Sequence, residues 1–279
     1  MKTKKSVLAV ALAVFGLMLG TLTPAHADWK SELVTKGTLI NCIDPEYPPM
    51  EYFSNGTSGK IIGFDAEGSA ALAKALGLKI KQLNTSFDGL IPALNAKRCD
   101  IVWTALYLSN KRLAVADGTA YLQTGPGLVV RKGNPKKIEN LTFDLCGKRI
   151  AVQAASANEG ILIAQSKQCK LTGDPEISIS SYPKVAETVA ALLNGKVDGL
   201  VETDVACGDI VTKSKGKLEV ATGDFPGDVS FAVYTNKGSA LSAQVRAGVK
   251  KIIKDGTLAK IAKKYNLDPE KLTTTGDPI

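Results

Sequence analysis

A helix-to-strand phrase occurs twice in this chain and constrains its fold more than any other feature. ALNAKRCDIVWT (93–104) and LLNGKVDGLVET (192–203) share one order: a helix end, Asn, a small residue, Lys, Asp, an apolar strand and Thr. Each copy follows a helix with one apolar face, formed by Phe87, Leu90, Ile91 and Leu94 before the first and by Val185, Val189, Leu192 and Leu193 before the second. Two copies predict two lobes of similar design. The alternative is that the repeat has no such meaning, because every α/β protein contains several helix-to-strand units.

Glycine and proline interrupt the apolar runs on either side of the second copy. The tripeptide GPG breaks YLQTGPGLVV, and Pro226 with Gly227 breaks ATGDFPGDVSFAVYT. Such residues mark turns between elements, and two breaks indicate that the chain crosses between the lobes twice. The predicted fold is therefore α/β, with two Rossmann-like lobes joined by two hinge crossings. Residues 28–123 plus 229–279 are expected in lobe 1 and residues 124–228 in lobe 2.

Residues 1–27 have the features of a secretory signal peptide. Three lysines precede an apolar run at 7–19, and Ala25-His26-Ala27 follows as a small-x-small cleavage site. A membrane anchor is the alternative, but a spanning helix needs about 20 apolar residues. We expect cleavage after Ala27, so that the mature chain begins at Asp28 and is periplasmic.

Charge and histidine content exclude several functions. The formal net charge of +8 falls to +5 when the three lysines of the leader are removed. The remaining lysines are scattered, so the basic average does not indicate a nucleic-acid partner. The single histidine, His26, also leaves with the leader. Without it the mature chain cannot form a Ser-His-Asp triad, a Cys-His pair or a His-ligated metal site. We predict no metal and no cofactor.

The cysteine pattern predicts a disulfide. Five cysteines in an exported chain cannot all pair within it, so at least one is free or intermolecular. Cys146 and Cys169 flank what reads as a strand followed by a helix, and we predict that these two pair. Cys42, Cys99 and Cys207 read as ordinary buried small residues.

Polar residues follow the strands of the two copies. In open α/β sheets, ligands bind beyond the carboxyl ends of the strands, so Thr104–Arg112 and Glu202–Asp204 are expected to meet across one cleft. Arg112 can bind a carboxylate through two N–H groups, with Ser109 as a further donor one turn earlier, and Asp204 can bind an ammonium group. The alternative is that Ser109 caps a helix and Arg112 is a solvated surface cation.

A second informative stretch is DPEYPPMEY. Asp44 follows a strand, the prolines hold an extended loop that presents Tyr47, and Phe87 begins a later helix. Two aromatic rings and a carboxylate can enclose a flat or aliphatic side chain and bind its polar tip. A helix-capping Asp and two core aromatics are the alternative. GFDAEGSAALAKALG then reads as a helix that Asp65 caps and Gly77 stops.

The order of several motifs resembles one protein family. In sequence these are DPEYPPME, GFDAE, FDGLIPAL, CDIVWTALYLSNKR, LCGKRIAVQAAS, KVDGLVETD and IIKDGTLAKIAKKY. Together they resemble the bacterial extracellular solute-binding proteins of family 3, the polar amino-acid-binding proteins of ABC importers. The resemblance covers essentially the whole mature chain and implies a two-lobed periplasmic-binding-protein fold of type II.

The resemblance also implies ligand-binding residues. Arg112, three residues after Ser109, falls on the family's carboxylate-binding Arg, and Ser156 falls on a hydroxyl of the second lobe that binds the same carboxylate. Thr104 and Ala105 match positions whose backbone or side chain meets the ligand. The side-chain pocket, in a form that suits a basic or amide amino acid, corresponds to Asp44, Tyr47 and Phe87.

Three features depart from the family pattern. Tyr107 stands where the family usually has a small Ser or Thr, and it either shrinks the pocket or contacts the ligand. Thr203 holds the usual place of the ammonium-binding Asp, and Asp204 lies one residue further. Either a bulge restores Asp204 to the site, or Thr203 and Glu202 take the role. AAS replaces the usual Gly-rich turn around Ser156.

These observations predict the exported substrate-binding component of an ABC importer. Its lobes would close by a hinge motion on an amino acid, polar or basic, or on a related small carboxylate. It would then deliver this ligand to a permease in the inner membrane, and we expect a monomer. A lyase of the cyclohexadienyl dehydratase type on the same scaffold is one alternative, with Glu202 or Asp204 as acid or base. A ligand-sensing module is another.

Overall fold

The computed structural model describes residues 28–223 and 229–279. The expected signal peptide and the break at Pro226 and Gly227 lie outside these residues. Up to the first crossing the chain forms strands β1 (Thr38–Ile43), β2 (Glu46–Tyr47), β3 (Glu51–Phe53), β4 (Ile61–Ile62), β5 (Lys79–Asn84), β6 (Ile101–Val102) and β7 (Ala116–Thr124), and helices α1 (Phe64–Ala75), α2 (Leu90–Asn95) and α3 (Asn110–Leu113).

The middle of the chain forms a second set of elements. These are strands β8 (Pro126–Arg131), β9 (Arg149–Gln153), β10 (Ser178–Tyr182), β11 (Gly199–Thr203) and β12 (Leu218–Val220), and helices α4 (Ala157–Leu171), α5 (Val185–Leu193) and α6 (Asp204–Lys213). The last part of the chain adds strand β13 (Val229–Asn236) and helices α7 (Ala240–Lys254) and α8 (Thr257–Lys264). Short 3-10 turns occur at Trp29–Glu32, Phe87–Gly89, Phe143–Leu145 and Pro269–Lys271.

Two sheets of the same design form the centres of two lobes. One sheet has the order β5-β1-β6-β13-β7 and the other has the order β10-β9-β11-β8-β12. In each, three parallel strands are followed by an antiparallel strand, β13 in the first sheet and β8 in the second. A third, small sheet pairs β2, β3 and β4. The predicted two-lobed α/β fold is confirmed.

The chain changes sheets where the glycine and proline breaks occur. Strand β7 of the first sheet ends at Thr124, and β8 of the second begins at Pro126, so Gly125 carries the first crossing. After β12 the chain rejoins the first sheet at Val229. The two copies of the repeated phrase become equivalent units: α2 with β6 in one lobe, and α5 with β11 in the other.

Apolar side chains cover both faces of each sheet. In the first lobe, a cluster around Trp103, Tyr121 and Phe231 packs under α1, α7 and α8, and the ring centroids of Trp103 and Tyr121 are 5.0 Å apart. On the opposite face, Leu90 and Leu94 of α2 are fully buried. Full burial of one large apolar side chain contributes about 1.5–3 kcal/mol, so these faces hold the helices on the sheet.

The first lobe contains a disulfide that the sequence analysis missed. Cys42 and Cys99, expected as ordinary buried residues, are bonded to each other, with Cα atoms 5.7 Å apart. The expectation is wrong because β1 lies beside β6 in the sheet, which brings together two cysteines that are 57 residues apart in sequence. The predicted pair Cys146–Cys169 is confirmed in the second lobe. Cys207 is a free, buried thiol.

The start of α1 also differs from expectation. Gly63 occupies the N-cap position without a side-chain bond, and Asp65 lies inside the helix with its carboxylate fully buried. Gly77 has φ +71° beyond the end of the helix, a conformation that favours glycine and stops a helix as predicted. Asp65 therefore has another role in the lobe.

Candidate ligand-binding cleft

A cleft lies between the lobes at the carboxyl ends of β1, β6, β9 and β11. It encloses about 480 Å³ of empty space, solvent at its opening included. The first lobe contributes Asp44, Glu46, Tyr47, Glu51, Phe87, Thr104, Ala105, Tyr107 and Arg112. The second lobe contributes Gln153, Ser156, Ala157, Asn158, Val185, Glu202 and Thr203. Four carboxyl groups and one guanidinium group thus line the same cleft.

Arg112 is held in the cleft by the turn that begins α3. The Ser109 hydroxyl caps this turn and accepts a hydrogen bond from the backbone N–H of Arg112, at 3.4 Å. The guanidinium donates through Nη1 to the carbonyl of Tyr107, at 2.9 Å. Burial lowers the pKa of Arg112 from its usual value, but arginine remains charged in proteins. Ser109 itself is buried and does not line the cleft.

The start of helix α4 lines the cleft from the second lobe. The Ser156 hydroxyl accepts a hydrogen bond from the N–H of Glu159, at 3.1 Å, and so caps this helix. Ala155 has φ 61°, the left-handed conformation that the expected glycine would adopt without strain. The positive end of a helix favours an anionic group nearby.

Glu202 and Thr203 form the acidic edge of the second lobe, at the end of β11. Glu202 is 3% exposed, and the Tyr47 hydroxyl of the first lobe bonds to both its Oε2 and the Thr203 hydroxyl. The N–H of Thr203 also donates to Glu202 Oε2, at 3.0 Å. Burial raises the pKa of Glu202. Both hydrogen bonds that Glu202 accepts within the described chain reach Oε2.

Asp204 lies outside the cleft. The pairing of β11 with β8 is regular through Thr203, so no bulge turns Asp204 inward, and it begins helix α6. Its carboxylate accepts hydrogen bonds from the Thr124 hydroxyl at 2.5 Å and from Lys271 Nζ at 3.1 Å. It lines a separate space between the lobes, beside α8 and the residues that follow it. Asp204 is offset by one residue from the position expected in the family, and this offset turns its side chain away from the cleft.

Asp44, Tyr47 and Phe87 line the cleft from the first lobe. The backbone N–H of Asp44 donates to the Thr104 hydroxyl, at 3.0 Å. Burial, with a smaller effect of the neighbouring Glu46, raises the pKa of Asp44 to about 7. Lys184 of the second lobe pairs with Glu46, at 2.6 Å. The two aromatic rings and the Asp44 carboxyl group thus form one polar-tipped apolar wall.

Buried polar atoms without a partner concentrate in this cleft. Among the described residues, the Tyr107 hydroxyl, Asn158 Oδ1 and Glu51 Oε2 are buried and have no hydrogen-bonding partner, and all three residues line the cleft. A buried polar group left unpaired costs about 1–3 kcal/mol. Of these, the Tyr107 hydroxyl and Asn158 Oδ1, one in each lobe, are positions where a polar ligand can complete the hydrogen bonding.

The structure brings together nine of the eleven residues proposed from sequence and leaves out Ser109 and Asp204. Sequence reasoning missed Glu46, Glu51, Gln153 and Asn158, and named Glu202 only as an alternative. Gln153 is the last residue of β9 and Glu202 is the last but one of β11, so the rule of strand ends was enough to find them. Asn158 lies in the first turn of α4, where no pattern in the sequence marks it.

The two-lobed fold, with a mixed-charge cleft at the strand ends of both lobes, defines a class of small-molecule binding proteins. Residues 39–268 match the sequence profile of the bacterial extracellular solute-binding proteins, family 3. The chain belongs to this family. No helix within 28–223 or 229–279 is long and apolar enough to cross a membrane.

Similar proteins support the same assignment. The L-cystine-binding protein TcyJ of Escherichia coli strain K12 is 28% identical, over 93% of this chain and 92% of that protein. The structure of an ancestral arginine-binding protein bound to arginine is 28% identical, with a TM-score of 0.73, and covers 82% of this chain and 98% of that one. The ancestral amino acid-binding protein AncCDT-1, a precursor of cyclohexadienyl dehydratase, is also 28% identical, with a TM-score of 0.68, and covers 82% of this chain and 95% of that one.

Proposed function

We propose that this protein is the exported binding component of an ABC importer and that it takes an α-amino acid with a cationic or polar side chain. The observation that supports the proposal most directly is the arrangement of charge in the cleft. Arg112 and the start of α4 line the cleft together with four carboxyl groups, those of Asp44, Glu46, Glu51 and Glu202. A zwitterion with a further positive group matches this pattern, because each charge then meets its opposite.

The carboxylate end of the ligand is assigned to Arg112 and the start of α4. A guanidinium has five N–H groups in a planar fork, and one of them is used by the carbonyl of Tyr107. A carboxylate can accept a two-pronged bond from the others. Ser156 and the N–H groups of the first turn of α4 lie on the facing lobe, so a carboxylate here contacts both lobes and favours their closure.

The ammonium end is assigned to Glu202, with Tyr107 and Asn158 as further acceptors. The Tyr107 hydroxyl and Asn158 Oδ1 have no hydrogen-bonding partner within the described chain. Burial raises the pKa of Tyr107 and the charge of Glu202 raises it further, so Glu202 is a neighbour of this hydroxyl, and Asn158 lines the same cleft. An ammonium group has three N–H donors. It can satisfy one acceptor on each of these side chains, and Thr203 then serves to hold Tyr47 and Glu202.

The side chain of the ligand is assigned to the wall formed by Asp44, Tyr47 and Phe87. The two rings provide an apolar surface for a methylene chain, and Asp44 provides an acceptor at its end. The raised pKa of Asp44 means that a cationic tip would stabilise its ionised form. A basic amino acid, or one with a second amine, therefore fits better than a short apolar one.

The proposal also covers the location of the protein, its partner and its lack of catalytic activity. The family consists of extracellular proteins, which agrees with the basic leader and its small-x-small site, so we place the mature chain in the periplasm as a monomer that docks on a permease. The lyase alternative needs a general acid and base that change roles, and Glu202 is already engaged by Tyr47 and Thr203. Stoichiometric binding without consumption of the ligand distinguishes binding from catalysis.

The test is thermal unfolding of the mature, ligand-stripped protein with arginine, lysine, ornithine, cystine, histidine, glutamine and alanine. A ligand at a hundred times its Kd stabilises the folded state by about 2.7 kcal/mol. Agmatine, which lacks the carboxylate, and 4-guanidinobutyrate, which lacks the α-amine, then show whether both charges are required. Stabilisation by an amino acid but by neither analogue supports the proposal. Stabilisation by 4-guanidinobutyrate alone would remove the ammonium site, and no stabilisation by any compound would remove the proposal.

A further inference from the structure

Two acidic residues in the sequence motifs have no assigned ligand contact. Glu51 belongs to DPEYPPMEY and Asp65 to GFDAE, and their exposed fractions are 1% and 0%. In the first lobe the two carboxyl groups are neighbours, because Glu51 accepts from the Thr104 hydroxyl and Asp65 accepts from the N–H of the next residue, Ala105, and each acts on the pKa of the other. Two carboxylates so close together and away from water repel each other strongly, so the pair binds a proton.

The distribution of donors locates that proton. Asp65 Oδ1 accepts from Trp103 Nε1 at 3.0 Å, and its Oδ2 accepts from the N–H of Ala105 at 2.6 Å and from the Tyr121 hydroxyl at 2.7 Å. Three donors stabilise the ionised form of a carboxyl group. Glu51 receives one donor, the Thr104 hydroxyl on Oε1 at 2.9 Å, and its Oε2 has none within the described chain.

We propose that Glu51 is a neutral acid, that its Oε2–H donates to the Asp65 carboxylate, and that the pair positions the Thr104–Ala105 turn at the cleft. An oxygen that faces a carboxylate without any donor is satisfied when it carries the hydrogen itself. Burial raises the pKa of Glu51 well above its usual range, and burial raises that of Asp65 to about 6. The other ionisable groups facing the pair are Asp44, beyond β1, and Tyr121, on β7.

The pair acts on the cleft through two neighbouring residues. The Thr104 hydroxyl donates to Glu51 and accepts from the N–H of Asp44, so it ties the acid to the backbone of the side-chain wall. Ala105 has φ 47°, which is unfavourable for a residue with a Cβ and is retained where surrounding contacts fix it. Its N–H bond to Asp65 is such a contact. Glu51 and Asp65 are therefore positioning residues.

The proposal makes an asymmetric prediction for two matched amide variants. Glu51→Gln reproduces a neutral acid, because the amide oxygen accepts from Thr104 and the amide N–H donates to Asp65. Asp65→Asn places an N–H group among three donors. In ligand-free protein, Glu51→Gln should melt close to wild type, Glu51→Ala should melt lower, and Asp65→Asn should melt lowest or fail to fold. Equal losses for the two amide variants would overturn the assignment of the proton.

An infrared measurement tests the proton directly and needs no ligand. At about pH 8 ordinary carboxyl groups are ionised, so the C=O stretch of a protonated carboxyl should be visible in wild type, absent in Glu51→Gln and present in Glu202→Gln and Asp44→Asn. Persistence of the whole band in Glu51→Gln would show that the proton is elsewhere.

The positioning role of Glu51 and Asp65 is tested by ligand affinity, and only this measurement rests on the proposed function. With an amino acid that binds wild type, Glu51→Gln should bind within about threefold and Glu51→Ala about tenfold or more weaker, the effect of losing a buried hydrogen-bonding partner. Equal affinity of both variants would remove the positioning role. If wild type binds no amino acid, the melting and infrared results still decide the proton assignment.

Discussion

The two copies of the helix-to-strand unit end differently, although their sheets have the same order of strands. After β6 the chain turns through Ala105 and remains irregular until Ser109 caps α3. After β11 it enters α6 at once, with Thr203 as the N-cap. The longer first ending has room to place Arg112 in the cleft, whereas the second presents only its final strand residues, Glu202 and Thr203.

This difference shows how one repeated topology produces a polar site. The shared strand order brings the ends of the two copies together, and their charged cleft residues differ, with Arg112 at the end of one copy and Glu202 at the end of the other. Each lobe also contains an alanine in the left-handed conformation after a cleft strand, Ala105 after β6 and Ala155 after β9. The cleft thus combines two similar sheets with different polar residues at their ends, as a zwitterion requires.

The largest expected effect comes from removing the cation of the first edge. Arg112→Ala should weaken binding of the amino acid by about 3–6 kcal/mol, since two charge-assisted hydrogen bonds of about 1.5–3 kcal/mol each are lost. Isothermal titration measures the change directly. Lys111→Ala is the matched control, because Lys111 is the adjacent cation and is exposed. Equal losses for the two variants would show that the first edge acts through its overall charge alone.

The two disulfides provide a second comparison between the lobes. The Cys42–Cys99 loop spans 57 residues and the Cys146–Cys169 loop spans 23, so loop closure predicts losses of about 4 and about 3 kcal/mol when each pair is replaced by alanines. Denaturant unfolding of the two double variants measures this. Cys42 lies in β1, two residues before Asp44 of the cleft, whereas Cys146 precedes β9 and Cys169 lies near the end of α4 that is far from Ser156, so only the loss of the first pair should also weaken ligand binding. Weaker binding in the Cys146–Cys169 variant would contradict this difference.

The sequence predicted the strand ends that line the cleft better than the contacts between residues far apart in the chain. Strand ends follow from local patterns, and the pairing of Cys146 with Cys169 needs only a strand and the helix after it. By contrast, Cys42 and Cys99 meet only because β1 and β6 are neighbours in the sheet. Asp65 suits a helix cap by residue type, yet the packing of Trp103 and Tyr121 turns it into a buried acceptor. Long-range packing decides both cases.

The acidic edge is tested by two neighbouring carboxylates on opposite faces of the strand-to-helix junction. Glu202→Gln should weaken amino-acid binding about tenfold or more, because a charged acceptor of the ammonium group becomes neutral. Asp204→Asn should leave the affinity within about threefold, since its partners are Thr124 and Lys271 outside the cleft and exposed ion pairs contribute about 1 kcal/mol or less. Titration of both variants with one amino acid decides the matter. The reverse order would place the ammonium site at Asp204.

The smallest expected effect is a pH dependence of stability and of ligand affinity, caused by Asp44 of the first lobe. Burial raises the pKa of Asp44 to about 7, so ligand-free protein binds a proton there that the unfolded chain releases near pH 4. Its contribution to stability is present below that pH and is lost as the pH rises through about 7. A cationic side chain needs the ionised form, so affinity should fall below pH 7 by at most about tenfold per pH unit.

Asp44→Asn should remove this dependence of affinity on pH. A neutral ligand such as glutamine should show a smaller slope in wild type, and equal slopes for arginine and glutamine would separate Asp44 from the cationic tip.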